Sequence, residues 1–251
     1  TPFHIYDEKA IIDNVRKLIK AFDWAYDFKE YFAVKATPNP YIMKLLKEEG
    51  VGADCSSLPE LELCDKVGIT GHDIVFSSND TPYEEFKRAM ELGALINLDD
   101  ISMIDYMCER DPLPDWICVR YYPGPLLPGG NAIIGVPKEA KYGVTREQVI
   151  DSFRILKDKG VKHFGLHTMV VSNELNASGL INTAKMMFEL AVEIKSLLDI
   201  SVEFIDFGGG IGLPYRPEES FVDYDELSQG IKGYFEELMD PNGMHTCRIS
   251  F

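Results

Sequence analysis

The 251-residue sequence is poor in basic side chains, with 25 Lys and Arg against 41 Asp and Glu and a formal charge of −16. That balance argues against a nucleic-acid backbone or an anionic membrane surface as partner. No apolar run approaches the ~20 residues that cross a bilayer. The start, Thr1-Pro2-Phe3-His4-Ile5-Tyr6-Asp7, lacks the basic-then-apolar order of a signal peptide. The chain reads as soluble and cytoplasmic. Cysteine is sparse too: Cys55, Cys64, Cys108, Cys118 and Cys247 are odd in number and show no Cys-x-x-Cys spacing. Neither a disulfide framework nor a thiolate zinc site is suggested. His4, His72, His163, His167 and His245 form no close pair, so no metal is expected.

What is present is a repeating pattern. Short β-rich runs fall near residues 31–34, 51–54, 74–76, 95–98, 116–121, 164–167, 204–207 and 246–251. Helix-period segments lie between them, over 41–49, 58–67, 83–92, 101–108, 146–159, 183–198 and 224–239. A further helix is expected over 13–22, and residues 1–6 read as a strand outside the repeat. Strands alternating with helices predict parallel βαβ units, and eight in ~250 residues is the size of a (β/α)8 barrel. A doubly wound sheet is the alternative. The first four strand ends, at 34, 54, 76 and 98, are spaced by 20, 22 and 22 residues, close to the minimum for a parallel crossover. Such tight, even spacing favours the barrel. The Pro- and Gly-rich stretch 122–143 breaks the rhythm as a long loop, and no interdomain linker is visible. Ser56 or Ser57 before Pro59 and Glu60, and Thr81 before Pro82, read as helix caps.

In a barrel of this kind the chemistry sits at the C-terminal ends of strands. The run Tyr31-Phe32-Ala33-Val34-Lys35-Ala36-Thr37-Pro38-Asn39-Pro40 places one lysine where an apolar strand meets breakers. Partial burial there lowers a lysine's pKa and activates it for carbonyl chemistry. Read from this segment alone, Lys35 is better taken as a rim lysine that snorkels to water. The other strand ends offer Asp54 with Cys55, Ser56 and Ser57; Ser77, Ser78 and Asn79; Asn97, Asp99 and Asp100; Arg120; His167 followed by Ser172; and Asp206 followed by Gly208-Gly209-Gly210. Successive glycines let backbone N–H groups approach an anion closely at a strand-to-helix turn. They also suit a tight loop with no ligand. An amine and an anion cradle at one mouth together fit pyridoxal phosphate, which needs a partner for its aldehyde and one for its phosphate. Each remaining residue keeps a structural reading: Arg120 in an ion pair, Asp54 as a turn acid, Glu60 in a helix's first turn, His167 in the core, Ser172 as a cap.

Phe32-Ala33-Val34-Lys35-Ala36, Asp54-Cys55-Ser56-Ser57 with Glu60, Val119-Arg120-Tyr121, Lys141-Tyr142-Gly143, Gly165-Leu166-His167 and Asp206-Phe207-Gly208-Gly209-Gly210 occur in one order along nearly the whole chain. In this order the sequence resembles the pyridoxal-binding barrel of the fold-type III decarboxylases, a group with an alanine-racemase-like barrel that includes diaminopimelate, ornithine, arginine and carboxynorspermidine decarboxylases. The resemblance implies pyridoxal 5'-phosphate held by a Schiff base at Lys35. Gly208, Gly209, Gly210 and Ser172 would hold the phosphate, while Asp54, Glu60 and Arg120 would support the ring. The implied reaction is decarboxylation of a small amino acid, a diamino acid such as meso-diaminopimelate giving lysine, in a cytoplasmic homodimer. Another basic amino-acid decarboxylase (for ornithine, arginine or carboxynorspermidine), a racemase-like enzyme and a catalytically silent pyridoxal-binding regulator are the alternatives.

The sequence departs from that pattern in two places. The family's Gly-Leu-His-x-His-x-Gly-Ser reads here Gly165-Leu166-His167-Thr168-Met169-Val170-Val171-Ser172, so the ring-stacking histidine is replaced by Met169. A thioether can still lie against a ring, and His167 is the other candidate. The family also continues into a Glu-x-Gly-Arg motif and a C-terminal β-domain, whereas this sequence stops at Arg248-Ile249-Ser250-Phe251. The expectation is therefore a barrel spanning 1–251, with 1–24 leading into it, whose partner β-domain is absent from the chain. Such a fragment would decarboxylate poorly.

Overall fold

The computed structural model describes residues 1–124 and 142–251. After α1 (Glu8–Ala21) come β1 (Tyr31–Ala33), α2 (Pro40–Glu48), β2 (Gly52–Cys55), α3 (Leu58–Val67), β3 (Ile74–Ser77), α4 (Tyr83–Glu91), β4 (Leu95–Leu98), α5 (Ser102–Cys108) and β5 (Trp116–Arg120). The chain continues through α6 (Arg146–Asp158), β6 (His163–His167), α7 (Ala177–Leu198), β7 (Val202–Asp206), α8 (Tyr224–Leu238) and β8 (Arg248–Ser250). The eight strands pair in sequence order, each parallel to the next. Closure comes from a parallel bridge between Lys29 and Ser250 and from the Tyr31 N–H donating to the Phe251 carbonyl at 2.7 Å. The sheet is a (β/α)8 barrel.

Two faces of each strand explain the core. On β3, Ile74 and Phe76 join the large cluster shared with the helices, while Val75 between them joins Tyr31, Leu95, Cys118 and Phe204 inside the barrel. Period-2 alternation therefore separates an outer layer from a packed lumen. The lumen is tight: a Cβ at Gly165 would lie 2.4 Å from Cys118 Sγ. Helix starts follow local chemistry. Asn39 Oδ1 accepts from the Tyr41 N–H at 2.9 Å with Pro40 at the first helical position, and Thr145 with Gln148 forms a reciprocal capping box on α6.

Several expectations are corrected. Residues 1–6 form no strand; Phe3 and Ile5 are 77% and 81% exposed, because the closed sheet leaves no edge for them to pair with. Helix α7 starts at Ala177 rather than 183, since the Asn176 side chain accepts from Ser178 N–H and begins the helix earlier. Ser57 occupies the cap position of α3 without accepting a backbone N–H, its hydroxyl instead donating to Glu60 Oε1 at 2.7 Å. Thr81 caps nothing; Pro82 precedes α4, and Thr81 Oγ1 is buried without a hydrogen-bond partner among the described residues. Of the loop expected over 122–143, and of Lys141, residues 125–141 lie outside the described residues.

Candidate functional site

Lys35 sits in a single 3-10 turn, Val34–Ala36, directly after β1. Asn39 and Pro40 then start α2, so the turn has no room to extend. The lysine side chain is exposed to solvent rather than partly buried as its apolar flanks suggest. It opens into a cavity of about 300 Å³ bounded by β1, the ends of β2, β3, β5 and β6, and the loop after β7. That volume is at the lower end of small-molecule sites. Lys35, Asp54, Arg120, His167, Met169, Gly208, Gly209 and Gly210 all line it. Glu60 and Ser172 do not. Glu60 instead accepts from the Ser56 N–H at 3.0 Å and from the Ser57 hydroxyl, tying down the turn after β2.

The cavity wall concentrates buried acids. Asp206, 4% exposed, has its pKa raised to about 7 by burial, with the Gly208 N–H and Arg120 opposing and Asp54 reinforcing. Burial, countered mainly by Lys35, raises Asp54 to about 6. Glu30, which also lines the cavity, is pushed to about 8 by burial and by Asp206, and its Oε2 has no hydrogen-bond partner among the described residues. Arg120 Nη1 donates to Asp99 Oδ1 at 3.1 Å, and its guanidinium lies 5.0 Å from the centre of the Tyr142 ring. His167 is 6% exposed, and burial, then Arg120 and Lys35, holds its pKa well below the ordinary imidazole value. It is a neutral ring at neutral pH.

The glycines form the cradle. Gly208, Gly209 and Gly210 have φ of +79°, +73° and +85°, a left-handed run that other residues adopt only with strain. A Cβ on Gly208 would lie 1.9 Å from the Thr168 carbonyl oxygen, and one on Gly210 would lie 2.3 Å from that of Val171. Gly209 faces open space, with nothing within 4 Å of the point a Cβ would occupy. The middle glycine is thus bare toward the cavity, while its neighbours are locked against the loop after β6. That loop is laced to them through Glu174 N–H to the Gly210 carbonyl at 2.9 Å and Gly212 N–H to the Glu174 carbonyl at 2.8 Å.

Asp206 and Glu30 join the cavity beyond the residues that the sequence motifs single out as cofactor ligands. The signal for Asp206 was its place two residues before the triple glycine. Glu30 precedes its strand and carries no local motif. A larger cavity of about 980 Å³ lies between α1 and the segments 211–213 and 221–225. Of its polar groups, Lys17 lies on α1 and Asp223 caps α8.

A barrel mouth that joins a free amine, a glycine cradle, an arginine and buried acids defines a barrel built to hold an aldehyde cofactor with an anionic tail. The chain belongs to the pyridoxal-dependent decarboxylase family, as its pyridoxal binding domain: that family's model matches residues 8–250. The chain is 36% identical over 243 residues to protein TabA of Pseudomonas amygdali pv. tabaci, covering 96% of this chain and 56% of that protein. It is 30% identical to the diaminopimelate decarboxylase of Methanothermobacter thermautotrophicus, covering 97% of this chain and 57% of the relative. The structure of diaminopimelate decarboxylase from Helicobacter pylori complexed with L-lysine matches with a TM-score of 0.86 at 26% identity, over 100% of this chain and 62% of that one. The chain thus spans about three-fifths of the length of these relatives. The family's cofactor is pyridoxal phosphate, and the residues present fit it: the primary amine of Lys35 shares one cavity with the open face of Gly209. Among the described residues no group of His, Cys, Asp and Glu is placed to hold a metal, and no helix is long and apolar enough to cross a membrane.

Proposed function

We propose that the protein decarboxylates an amino acid with pyridoxal phosphate anchored on Lys35, and that the substrate is a diamino acid such as meso-diaminopimelate. The convergence of Lys35, Asp54, Arg120, His167, Asp206 and the glycine loop on one cavity carries this reading. Bound pyridoxal phosphate supplies an aldehyde for an amine and an electron sink for the carbon that loses carbon dioxide. The chain's own groups do the rest. Lys35 would offer Nζ as the amine that holds the cofactor's aldehyde, and the same amine is a group able to carry a proton within the cavity. Gly208 to Gly210, which line the cavity, would hold the phosphate through their backbone, with Ser172 on the neighbouring loop after β6. Arg120, pinned by Asp99, and the acids Asp54 and Asp206 set the charge around the ring, and Glu60 acts by fixing the turn that carries Asp54. Met169, partly buried in the cavity wall, supplies a polarizable face where a planar ring can lie.

The acidic lining supports a substrate with a second amino group, as do relatives named diaminopimelate decarboxylase. Protein TabA, a relative of higher identity, bears no substrate in its name, which supports testing beyond diaminopimelate. Carbon dioxide release by the intact protein should be measured with diaminopimelate, lysine, ornithine and arginine. Release from diaminopimelate above the others is expected. Silence on all of them with cofactor bound would overturn the decarboxylase reading and favour a non-catalytic pyridoxal-binding protein, and racemisation of L-alanine would favour a racemase.

A further inference from the structure

Asn97 lies on β4, 1% exposed, behind the residues that line the Lys35 cavity. Its amide nitrogen reaches two groups, Ser77 Oγ at 3.2 Å and His167 Nδ1 at 2.7 Å, while its Oδ1 is buried without a hydrogen-bond partner among the described residues. An amide N–H directed at Nδ1 requires that nitrogen to be an acceptor. In a neutral imidazole the proton then sits on Nε2. His167 Nε2 is 4.0 Å from Asp206 Oδ2, and the side chains of both residues are buried, at 8% and 6% exposure. The other oxygen of Asp206 accepts from the Gly208 N–H at 2.8 Å.

We infer that Asn97 is a positioning residue: it fixes His167 as the Nε2–H tautomer, so that a single N–H dipole faces the Asp206 carboxylate at the head of the glycine loop. The importance of that loop rests on the functional reading above; the tautomer itself rests on geometry alone. The reversed amide would place Oδ1 against Nδ1 and demand a proton there. It would also turn the Nε2 lone pair toward the Asp206 carboxyl, a repulsive pairing whenever that group is ionised. Burial together with the nearby cations Arg120 and Lys35 keeps the ring neutral, which is the state in which tautomer choice matters. Neither Asn97 nor His167 has to touch the cofactor for this arrangement to act. It acts through Asp206.

The test is nitrogen-15 NMR of the histidine rings in the ligand-free protein, with His167 assigned by His167→Gln. A protonated Nε2 and a bare Nδ1 are expected for His167. A proton on Nδ1 would overturn the inference outright. Asn97→Asp, whose carboxylate can only accept, should move the proton to Nδ1 or charge the ring, and should weaken pyridoxal phosphate binding about fivefold, the worth of one net hydrogen bond. Asn97→Ala, which removes the N–H without adding a charge, should release His167 to a mixture of tautomers and weaken pyridoxal phosphate binding in the same direction, which a merely structural role for Asn97 would not predict. Should Asn97→Asp fail to fold, the wild-type spectrum and Asn97→Ala still decide. An unchanged affinity in a folded Asn97→Asp protein with a moved proton would contradict the positioning role. The expected tautomer in a chain that takes up no pyridoxal phosphate would uphold the assignment of Asn97 and remove the functional reading alone.

Discussion

The Gly208 N–H donates to Asp206 Oδ1 at 2.8 Å, so the last residue of β7 holds the first residue of the glycine loop by its side chain. That bond turns the backbone sharply into its left-handed run immediately above the barrel. It also keeps part of a negative charge on a carboxyl that burial would otherwise neutralise more fully. Fold and site share this one contact.

The three glycines should respond differently to alanine. At Gly208 and Gly210 a Cβ would meet backbone carbonyl oxygens at 1.9 and 2.3 Å, so both variants should lose several kcal/mol or fail to fold. Gly209→Ala meets open space and is penalised only for its φ of +73°, about 1 kcal/mol. Urea denaturation checks the stabilities. Pyridoxal phosphate titration of folded Gly209→Ala should show weakened binding, since the added methyl group occupies open space at a residue that lines the Lys35 cavity.

The ligand-free protein should gain stability as pH falls from about 8.5 to 6.5. Glu30, Asp206 and Asp54 sit at about 8, 7 and 6 when folded, above the ordinary carboxylate value near 4. In that window the folded chain holds protons that the unfolded chain has lost, so stability declines as pH rises. Below about 6.5 the sign reverses for His167, because the unfolded imidazole takes a proton that the buried ring refuses. Thermal melts across this range check the direction, and Asp206→Asn should flatten the alkaline limb.

Removing the Arg120 side chain should destabilise the protein by about 3 kcal/mol, because Asp99, 7% exposed at its side chain, loses its cation and stays buried. Arg120→Met alone and Arg120→Met with Asp99→Asn, compared by denaturant titration, test this. The double variant should recover part of the loss.

The fold was legible because the barrel repeats one simple unit. Every strand fell within about two residues of its expected place, since β-branched runs such as Ile74-Val75-Phe76 are bounded by turn residues. Residues 1–6 misled because Phe3 and Ile5 alternate like a strand, while pairing depends on an edge that periodicity does not reveal. The cavity lining was legible where a motif sat at a strand end, as for Lys35 and the glycines. Glu60 and Ser172 are near the right strand ends but do not reach the cavity lining, a matter of side-chain direction. Glu30 and the tautomer-setting role of Asn97 depend on contacts across the lumen, such as the 70-residue span from Asn97 to His167.

In the proposed function Lys35 is the cofactor's anchor. Because its side chain is exposed, Lys35→Ala should leave stability within about 0.5 kcal/mol, so loss of binding would not reflect unfolding. The most direct measurement is borohydride reduction of the protein with pyridoxal phosphate, followed by peptide mapping, with absorbance near roughly 420 nm recorded before reduction. That band and a single reduced adduct on Lys35 are expected, both lost in Lys35→Ala. An adduct on any other lysine, or an undiminished band in Lys35→Ala, would contradict it.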